Sequence, residues 1–469
     1  MNRTRMTLLL GMIPVLLLTA TAIGQEGSPP SFRNLVAVGD SITAGVQNGS
    51  LNLKGQNNSY AALVARQVPT FLFRPLITEP GIPNELILVD PGPPPVLEEV
   101  PGESGTRHFP LVVPQNLAVP GQDVFEALTV KPDLPLDTPE DLILGVPSLV
   151  VPLGLPPLSQ IEMAFALRPT FTLFWLGPND VLRAALDGTL EEITPFEVFQ
   201  QAYSTAVGTI LETGSKIVVG NIPDVTVIAY LTPAAQVAAL AGAPLQVIGP
   251  ALGIAEGDYV TAVGVQMVEP ILMGQIPGPL PDSAVVSAAE VEEIRQATAQ
   301  MNGFISQLGA SLNFPVVDVH GALRVIDQNG YPLGERVLTT EFLGGIFSLD
   351  GFHPTNTGHA LIANLFIEAI NGFYGTSIPE VDVAEIAASD PLLGLTSVQQ
   401  GIVLQAVSPA YQETLSALLG RKSSERILPS YSEWIEQLPR FVIQPGPVTV
   451  KRDGYRSVRP WTTRRIDLR

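Results

Sequence analysis

One serine in this sequence has the setting of a nucleophile that could attack an ester carbonyl. Ser41 follows the apolar run at 35–38 through Gly39 and Asp40. Such a run is typical of a strand buried in a parallel sheet, and residues just past these strands carry the chemistry of α/β proteins. Gly-Asp-Ser is also common in surface turns, so Ser41 is a candidate only if partners for it exist elsewhere in the chain.

Four histidines are available as the base for such a serine. His353 follows Asp350 by three residues, so in a turn the carboxylate can hold one ring nitrogen while the other faces Ser41. An Asx-type turn capping the next helix is the alternative interpretation of this pair. His320, close to Asp318, is a reserve base, although a satisfied histidine at a strand end is the simpler interpretation.

Two further segments offer hydrogen-bond donors for an oxyanion. Asn179, in a Gly-Pro-Asn-Asp segment after an apolar strand, offers a side-chain amide. Gly121, at the end of Asn-Leu-Ala-Val-Pro-Gly, offers a backbone N–H that no side chain obstructs. Each segment alone also fits a routine turn. His359 is predicted to lie on the surface of the final helix, and no pair of histidines has the spacing of a helical zinc motif.

Strands and helices that alternate along the chain must position these residues. They predict an α/β fold, a three-layer α/β/α sandwich with a central parallel sheet of about five strands. The strand candidates lie near Leu35, Leu111, Leu173, Ile217 and Val316, and the helical patterns at 59–68, 194–211 and 288–308. The long apolar segment at 224–289 is predicted to form a cap beside the core, and 321–349 is predicted to be a loop.

The chain divides into three predicted parts. Residues 1–24 have a basic start, an apolar middle and a small-residue end, the pattern of a cleaved secretory signal, with an uncleaved membrane anchor as the alternative. Residues 25–376 form the main domain, with insertions at about 69–110, 129–158 and 224–289. Residues 377–469 form a helical extension and a basic tail. The protein is therefore expected to be exported, to a periplasm or to the medium.

Composition excludes several classes of function. The chain has no cysteine, so disulfides, thiol catalysis and Cys-ligated metal are excluded. A net charge of −20 argues against nucleic acid as a partner. Residues 421–469 instead carry 11 Lys or Arg and 5 Asp or Glu. This basic tail could touch a membrane or another anionic surface, or it could simply be solvated.

Taken together, the sequence resembles the SGNH, or GDSL-type, hydrolase family. Four short blocks occur in the family's order, over roughly residues 34–374. They are Gly39-Asp40-Ser41-Ile42, Asn116 through Gly121, Gly177-x-Asn179-Asp180 and Asp350-x-x-His353-Pro354. The loop Gly220 to Asp224 also looks like the one the family places after its fourth strand. Ile42 replaces the usual leucine, and the insertions stretch the spacing between blocks.

The resemblance implies a flavodoxin-like fold and a serine esterase or lipase that needs no cofactor. It places the nucleophile on Ser41, the base and its orienting carboxylate on His353 and Asp350, and the oxyanion hole on the Ser41 backbone, Gly121 and Asn179. The apolar segment at 224–274 suggests a lipid ester, unless it is ordinary helical core. A carbohydrate acetyl-esterase, an acyltransferase, and an inactive binding protein in which a loop buries Ser41 are the alternatives. Neither the natural substrate nor the oligomeric state follows from the sequence.

Overall fold

The structure is a computed structural model of the chain. It describes residues 29–394, except 69, 91–95, 111, 137 and 151–155, and four short strands between 440 and 466. The signal-like segment 1–24 and most of the basic tail lie outside the described residues, so the predictions made for them are not addressed.

The strands and helices follow one another as the alternating pattern predicts. The strands are β1 (Leu35–Gly39), β2 (Leu86–Asp90), β3 (Val96–Glu99), β4 (Phe171–Trp175), β5 (Lys216–Gly220), β6 (Leu231–Pro233), β7 (Tyr259–Thr261), β8 (Val285–Val286), β9 (Val316–Val317), β10 (Tyr331–Leu333), β11 (Arg336–Leu338), β12 (Arg440–Gln444), β13 (Val448–Val450), β14 (Arg456–Val458) and β15 (Thr462–Ile466). The helices are α1 (Ser41–Ala44), α2 (Leu53–Asn58), α3 (Tyr60–Gln67), α4 (Glu126–Thr129), α5 (Gln160–Leu167), α6 (Asn179–Asp187), α7 (Phe196–Glu212), α8 (Ala234–Leu240), α9 (Leu245–Leu252), α10 (Ala262–Leu272), α11 (Ala288–Leu312), α12 (Val319–Asn329), α13 (Asn356–Tyr374) and α14 (Val383–Ser389). A π-helical segment spans Asp141–Val150, and 3₁₀ turns span Leu190–Glu192 and Asp282–Ala284.

A four-stranded parallel sheet forms the centre of the molecule, in the order β1-β4-β5-β9. A fifth segment extends it beyond β1, where the N–H groups of Leu117 and Val119 donate to the carbonyls of Ala37 and Gly39 at 2.9 and 3.1 Å. This edge segment begins at residue 115, so the prediction of a strand at 109–113 was wrong in position. The run at 109–113 was too short and too close to prolines for its register to be read from the sequence.

Helices cover both faces of the sheet, which confirms the predicted three layers. Side chains alternate along β1, as the two-residue period of a strand requires. Val36 and Val38 pack into the core beneath α5, α7 and α11. Leu35 and Ala37 pack into a second core beneath α3 and α13. The first β-strand is therefore buried on both sides, and its carboxyl end is held rigidly.

The predicted cap is a small unit with its own core. Strands β6, β7 and β8 form an antiparallel sheet, and α8, α9 and α10 pack on it. Its apolar side chains, among them Val237, Leu252 and Val265, form a cluster separate from the two cores of the main sheet. Among the described residues, no single helix is long and apolar enough to cross a membrane. Helices α8 and α9 have that length and composition only when taken together, and the chain bends by 107° between them.

The segment predicted to be a loop at 321–349 instead begins with helix α12 and the hairpin β10–β11. The side chain of Asp318 caps α12 by accepting the Gly321 N–H at 2.9 Å. Val319, Leu323 and Ile326 recur at helical spacing on this helix, a signal that the polar residues between them obscured. The prediction failed because the apolar stripe is narrow.

The other predicted insertions also contain regular structure. The hairpin β2–β3 lies within 69–110, and the π-helical segment lies within 129–158. Beyond residue 376 the structure describes α14, and β12 to β15 form two antiparallel pairs. Helices predicted after residue 394 lie outside the described residues.

Candidate active site

Ser41 lies at the carboxyl end of β1 and is the first residue of α1. The Oδ1 of Asp40 accepts the N–H of Ile42 at 3.0 Å, which caps the short helix. A side chain at Gly39 would place its Cβ 2.7 Å from the carbonyl oxygen of Trp175, so only glycine fits before this turn. Ser41 itself is only 5% exposed.

Asp350 and His353 form the hydrogen-bonded pair that the sequence predicts. The Nδ1 of His353 is 2.9 Å from the Oδ2 of Asp350, and both side chains are buried. The Oδ1 of Asp350 also accepts the N–H groups of Phe352 and His353 at 3.1 and 2.9 Å. The turn that carries the pair is closed by the N–H of Ser348, which donates to the His353 carbonyl at 2.8 Å.

The protonation states of this pair follow from its surroundings. Burial would raise the pKa of Asp350, but the charge of His353 and the hydrogen bonds from His353 and Phe352 outweigh it and hold the pKa below its usual value. An ionised carboxylate can only accept, so the Nδ1 of His353 carries the proton. The Nε2 is then the basic nitrogen. It is buried and has no hydrogen-bond partner among the described residues, so it is not hydrogen-bonded to Ser41 in this structure.

A turn shortly after Ser41 holds the loop of Asp350 and His353 in place, a role that the sequence does not predict. Gly49 donates its N–H to the Oδ2 of Asp350 at 2.7 Å. Asn48 donates its N–H to the Ser348 hydroxyl at 2.9 Å and accepts the Leu349 N–H at 3.2 Å. Asn48 and Gly49 both have positive φ angles, as an Asn-Gly turn favours. The dipeptide predicts a turn but not its partner some 300 residues away.

The two predicted oxyanion donors lie in segments that contact each other. Asn179 begins α6, and its Nδ2 donates to the carbonyl of Gln122 at 3.0 Å, which leaves a second amide hydrogen. Gly121 has a φ of 78°, a conformation that favours glycine. Its carbonyl accepts from Arg183 at 2.9 Å, and its N–H makes no hydrogen bond to the described residues. The structure therefore brings Gly121 and Asn179 together.

Two buried glutamines connect this donor pair to the turn that carries Ser41. The Gly39 N–H donates to the Oε1 of Gln160 at 2.7 Å. The Nε2 of Gln160 donates to the Oε1 of Gln122 at 2.8 Å, and Gln122 is the residue whose carbonyl holds Asn179. Gln160 and Gln122 lie in none of the four sequence blocks, so sequence reasoning missed them. Both side chains are almost fully buried in the structure, but nothing in the sequence distinguishes them from surface glutamines.

The remaining histidines do not join the pair. The carboxylate of Asp318 accepts hydrogen bonds from the Asn221 side chain and from the backbone at the start of α12. It is therefore not paired with His320. His359 is fully buried rather than on the helix surface, and that prediction was wrong. Its Nδ1 accepts the Tyr60 N–H at 3.3 Å, and burial, with the charge of His353, lowers its pKa to about 3. In the described part of the chain, no three His, Asp or Glu side chains are arranged to hold a metal ion.

An apolar cavity of about 80 Å³ is lined by sequence neighbours of Ser41 and His353, although neither of these two residues lines it. Its wall includes Ile42, which follows Ser41, and Phe352 and Pro354, which flank His353. The cap segment at 224–274 contributes only Val225 and Ile228, and many of its other apolar side chains fill the core of the cap. Hydrogen bonds thus connect the turn at Ser41 to the Asp350–His353 loop, through Gly49, and to the segments of Gly121 and Asn179, through two glutamines.

Comparisons with solved structures return α/β hydrolases. LAE5, an alpha/beta hydrolase enzyme from the metagenome of Lake Arreo, Spain, has 14% sequence identity and a TM-score of 0.35, over 73% of this chain and 97% of its own. A catalytic mutant of Axe2, an acetylxylan esterase from Geobacillus stearothermophilus, has 13% identity and a TM-score of 0.33, over 74% of this chain and 98% of its own. No curated protein sequence matches the chain.

The family comparison covers the whole candidate site. The model of the GDSL-like Lipase/Acylhydrolase family matches residues 35–366, from the first strand of the sheet into α13. That range contains every site residue described above and more than half of the chain. This protein therefore belongs to the GDSL-like lipase/acylhydrolase family and is a carboxylic ester hydrolase.

Proposed function

We propose that the protein cleaves esters through an acyl-enzyme formed on Ser41. The Nε2 of His353 takes the hydroxyl proton as the Ser41 oxygen attacks the carbonyl carbon. Asp350 keeps the imidazole in the tautomer with Nδ1 protonated and stabilises the imidazolium that forms. The negative charge of Asp350 is retained because its pKa is held below the usual value.

The developing oxyanion then needs donors that are already in place. We assign this role to the backbone N–H groups of Ser41 and Gly121 and to the side-chain amide of Asn179. Collapse of the tetrahedral intermediate breaks the bond to the alcohol, which leaves with the proton from His353. Water, activated by the same nitrogen, attacks the acyl-enzyme and releases the acid and free Ser41.

The observation that carries the proposal is the buried Asp350–His353 pair, at 2.9 Å, whose Nε2 has no partner among the described residues. A buried polar nitrogen without a partner lowers stability, and a catalytic role is one reason for which such a nitrogen is retained. The test is hydrolysis of p-nitrophenyl esters, from acetate to palmitate, by the purified protein and by Ser41→Ala. We expect kcat to fall by roughly 10⁶ in the variant. Equal activity of the two folded proteins would contradict the proposal.

A second candidate is a binding protein that keeps the fold without turnover. The low exposure of Ser41, 5%, is the observation that favours it. The same ester series separates the two, because a binding protein would show no hydrolysis that depends on Ser41.

Acyl transfer to an acceptor other than water would use the same acyl-enzyme, and it is distinguished by products formed with added alcohols. The apolar wall of the cavity favours an aliphatic ester over a polar carbohydrate ester.

We also propose that the protein is exported after removal of residues 1–24. The basic, apolar and small-residue parts of this segment support it. N-terminal sequencing of the mature protein should begin at Gln25, and retention of Met1 would contradict cleavage.

Contact of the basic tail at 421–469 with an anionic membrane stays a prediction, tested by sedimentation with anionic and neutral vesicles.

A further inference from the structure

Gly121, one of the proposed oxyanion donors, lies in a tight turn at 119–122. The N–H of Gln122 donates to the carbonyl of Val119 at 3.4 Å and closes the turn. Pro120 is its second residue, and Gly121, with a φ of 78°, is its third. Proline and glycine are favoured at these two positions of a type II turn. Glycine adopts this conformation without strain, but it adopts many others as readily, so contacts around the turn must fix the direction of the Gly121 N–H.

One end of this turn is anchored to the strand that leads to Ser41. The N–H of Val119 donates to the carbonyl of Gly39, the last residue of β1, at 3.1 Å. All five residues of β1 are buried in the central sheet. This end of the turn is therefore fixed relative to the nucleophile.

Helix α6 holds the other end of the turn. Asn179 and Arg183 are four residues apart, so their side chains lie on the same face of the helix. The Nδ2 of Asn179 donates to the carbonyl of Gln122 at 3.0 Å, and the Arg183 guanidinium donates to the carbonyl of Gly121 at 2.9 Å. Two consecutive carbonyls of the turn are thus held by side chains one helical turn apart.

The side chain of Arg183 is itself held in place. It is buried, and one of its terminal nitrogens lies 3.9 Å from the Oε2 of Glu126. Glu126 is fixed by Asp123, because the Asp123 N–H donates to the Glu126 carboxylate at 3.0 Å and the Glu126 N–H donates to the Asp123 carboxylate at 2.8 Å. A guanidinium presents its donors as a planar, rigid fork. Arg183 can therefore act as a rigid support for the carbonyl of Gly121.

We propose that Arg183 is a positioning residue that orients the Gly121 N–H towards the oxyanion by holding the carbonyl of the same residue. The inference rests on the proposed function, in which Gly121 and Asn179 belong to the oxyanion hole. Arg183 acts through Gly121 and not by contact with the substrate. Since a displacement of about 1 Å in a catalytic site can cost about a hundredfold in rate, loss of this support should weaken the oxyanion hole while the Asp350–His353 pair stays intact.

The experiment compares an ester with its thiono analogue, in which sulfur replaces the carbonyl oxygen. Sulfur is a weaker hydrogen-bond acceptor, so a well-aligned oxyanion hole favours the oxygen ester. We measure kcat and KM for p-nitrophenyl butyrate and p-nitrophenyl thionobutyrate in wild type, Arg183→Met and Asn179→Ala. In Arg183→Met, kcat for the oxygen ester should fall by about 10–100-fold with little change in KM. The ratio of kcat/KM for the oxygen ester to that for the thiono ester should fall by about fivefold or more.

Arg107→Met is the matched control. Arg107 is as buried as Arg183, and its guanidinium also donates to backbone carbonyls, those of Leu142 and Ile143 in the π-helical segment, both at 2.9 Å. This variant should have a lower melting temperature, but it should keep the wild-type ratio of the two esters. Arg183→Lys retains the charge and a donor for Gly121 without the planar fork, and its ratio should lie between those of wild type and Arg183→Met.

Two outcomes overturn the inference alone. One is a wild-type ratio in folded Arg183→Met when Asn179→Ala lowers it, and the other is a ratio that falls as much in Arg107→Met as in Arg183→Met. If Arg183→Met does not fold, Arg183→Lys replaces it, and a wild-type ratio in that variant overturns the inference. A ratio that is unchanged in Asn179→Ala would instead contradict the proposed oxyanion hole, and the inference with it, so the two failures are distinguishable.

Discussion

The loop that carries the proposed base and the turn that carries the proposed nucleophile each contain a buried aspartate, but the pKa values of the two carboxyl groups are shifted in opposite directions. Asp350 accepts hydrogen bonds from Gly49, Phe352 and His353, and its pKa lies below its usual value. Asp40 accepts the Ile42 N–H, while its Oδ2 has no partner among the described residues. Burial raises the pKa of Asp40 to about 7, although that hydrogen bond and the charge of His353 oppose the shift.

The two buried carboxyl groups therefore differ in their ionisation and in the role that each can have. The donors around Asp350 compensate the cost of burying its charge, so it stays ionised and can stabilise an imidazolium. The donors around Asp40 do not offset the cost of its burial, so its pKa is raised to about 7. Its structural role as the cap of α1 does not require a charge, because asparagine caps helices as well. We therefore expect the two residues to respond very differently to the same substitution.

Asp350→Asn should have the largest effect. The amide preserves the shape of the side chain, but it can present an N–H to His353 and so favour the wrong tautomer. We expect kcat for p-nitrophenyl esters to fall by about 10⁴. Asp40→Asn is the matched control, with a loss of less than about tenfold, since its cap is retained. Equal losses in the two variants would contradict the distinction between the two carboxylates.

Asn179→Ala should have the next largest effect. The substitution removes a donor from the proposed oxyanion hole, while the Asp350–His353 pair is left intact. We expect kcat to fall by about 10²–10³ with little change in KM. Circular dichroism checks that the loss of the bond to Gln122 has not unfolded the protein. A change confined to KM would show that Asn179 binds the ground state instead.

Gln160→Leu tests whether the nucleophile turn is positioned through the glutamine pair. It removes the acceptor of the Gly39 N–H and the donor to Gln122, and we expect kcat to fall by about tenfold, with KM changed less. Gln160→Glu keeps the acceptor for Gly39 and should recover part of the rate. A purely structural residue would lower the melting temperature without changing kcat of the folded protein.

The last prediction concerns the dependence of stability on pH rather than activity. Because the folded pKa of Asp40 is about 7 and the usual value is 3.8, folding is favoured by protonation, and its contribution to the free energy of unfolding falls as pH rises from about 4 to 7. The full shift corresponds to about 4 kcal/mol. Asp350 has the opposite sign, with stability lost only as pH falls through its lowered pKa.

Urea unfolding of wild type and Asp40→Asn between pH 4 and 8 measures this slope. The variant should lose less stability as pH rises across the window, and the two curves should run parallel above about pH 8. Burial also raises the pKa of Glu140 to about 8, but both proteins share that contribution, so it cancels in the difference. Parallel curves over the whole range would contradict the raised pKa of Asp40.

The sequence was sufficient for the parts of the site that depend on local pattern. The apolar run of β1 predicts its strand, and the three-residue spacing of Asp350 and His353 predicts their contact, because both features act within one element. The hydrolase family could be identified because the four blocks keep their order. The three-layer α/β/α arrangement could be predicted because strands and helices alternate along the chain.

Long-range polar contacts could not be predicted. The bond from Gly49 to Asp350 and the link from Gly39 through Gln160 to Gln122 join segments that are far apart in the chain, and glycine and glutamine give no signal of their partners. Helix α12 was missed because its stripe is narrow. The apolar segment at 224–274 was compatible with an acyl groove or with ordinary helical core, because composition cannot distinguish the two, and many of its side chains form the core of the cap.

The central claim, that Ser41 is activated by the buried Asp350–His353 pair, is tested most directly by covalent labelling. A fluorophosphonate reacts with an activated serine, and peptide mass spectrometry locates the adduct. We predict one adduct on the peptide containing Ser41 in wild type, none in Ser41→Ala, and labelling slowed by at least about 10³ in His353→Ala. An adduct on another serine, or a labelling rate of Ser41 unchanged in His353→Ala, would contradict the account.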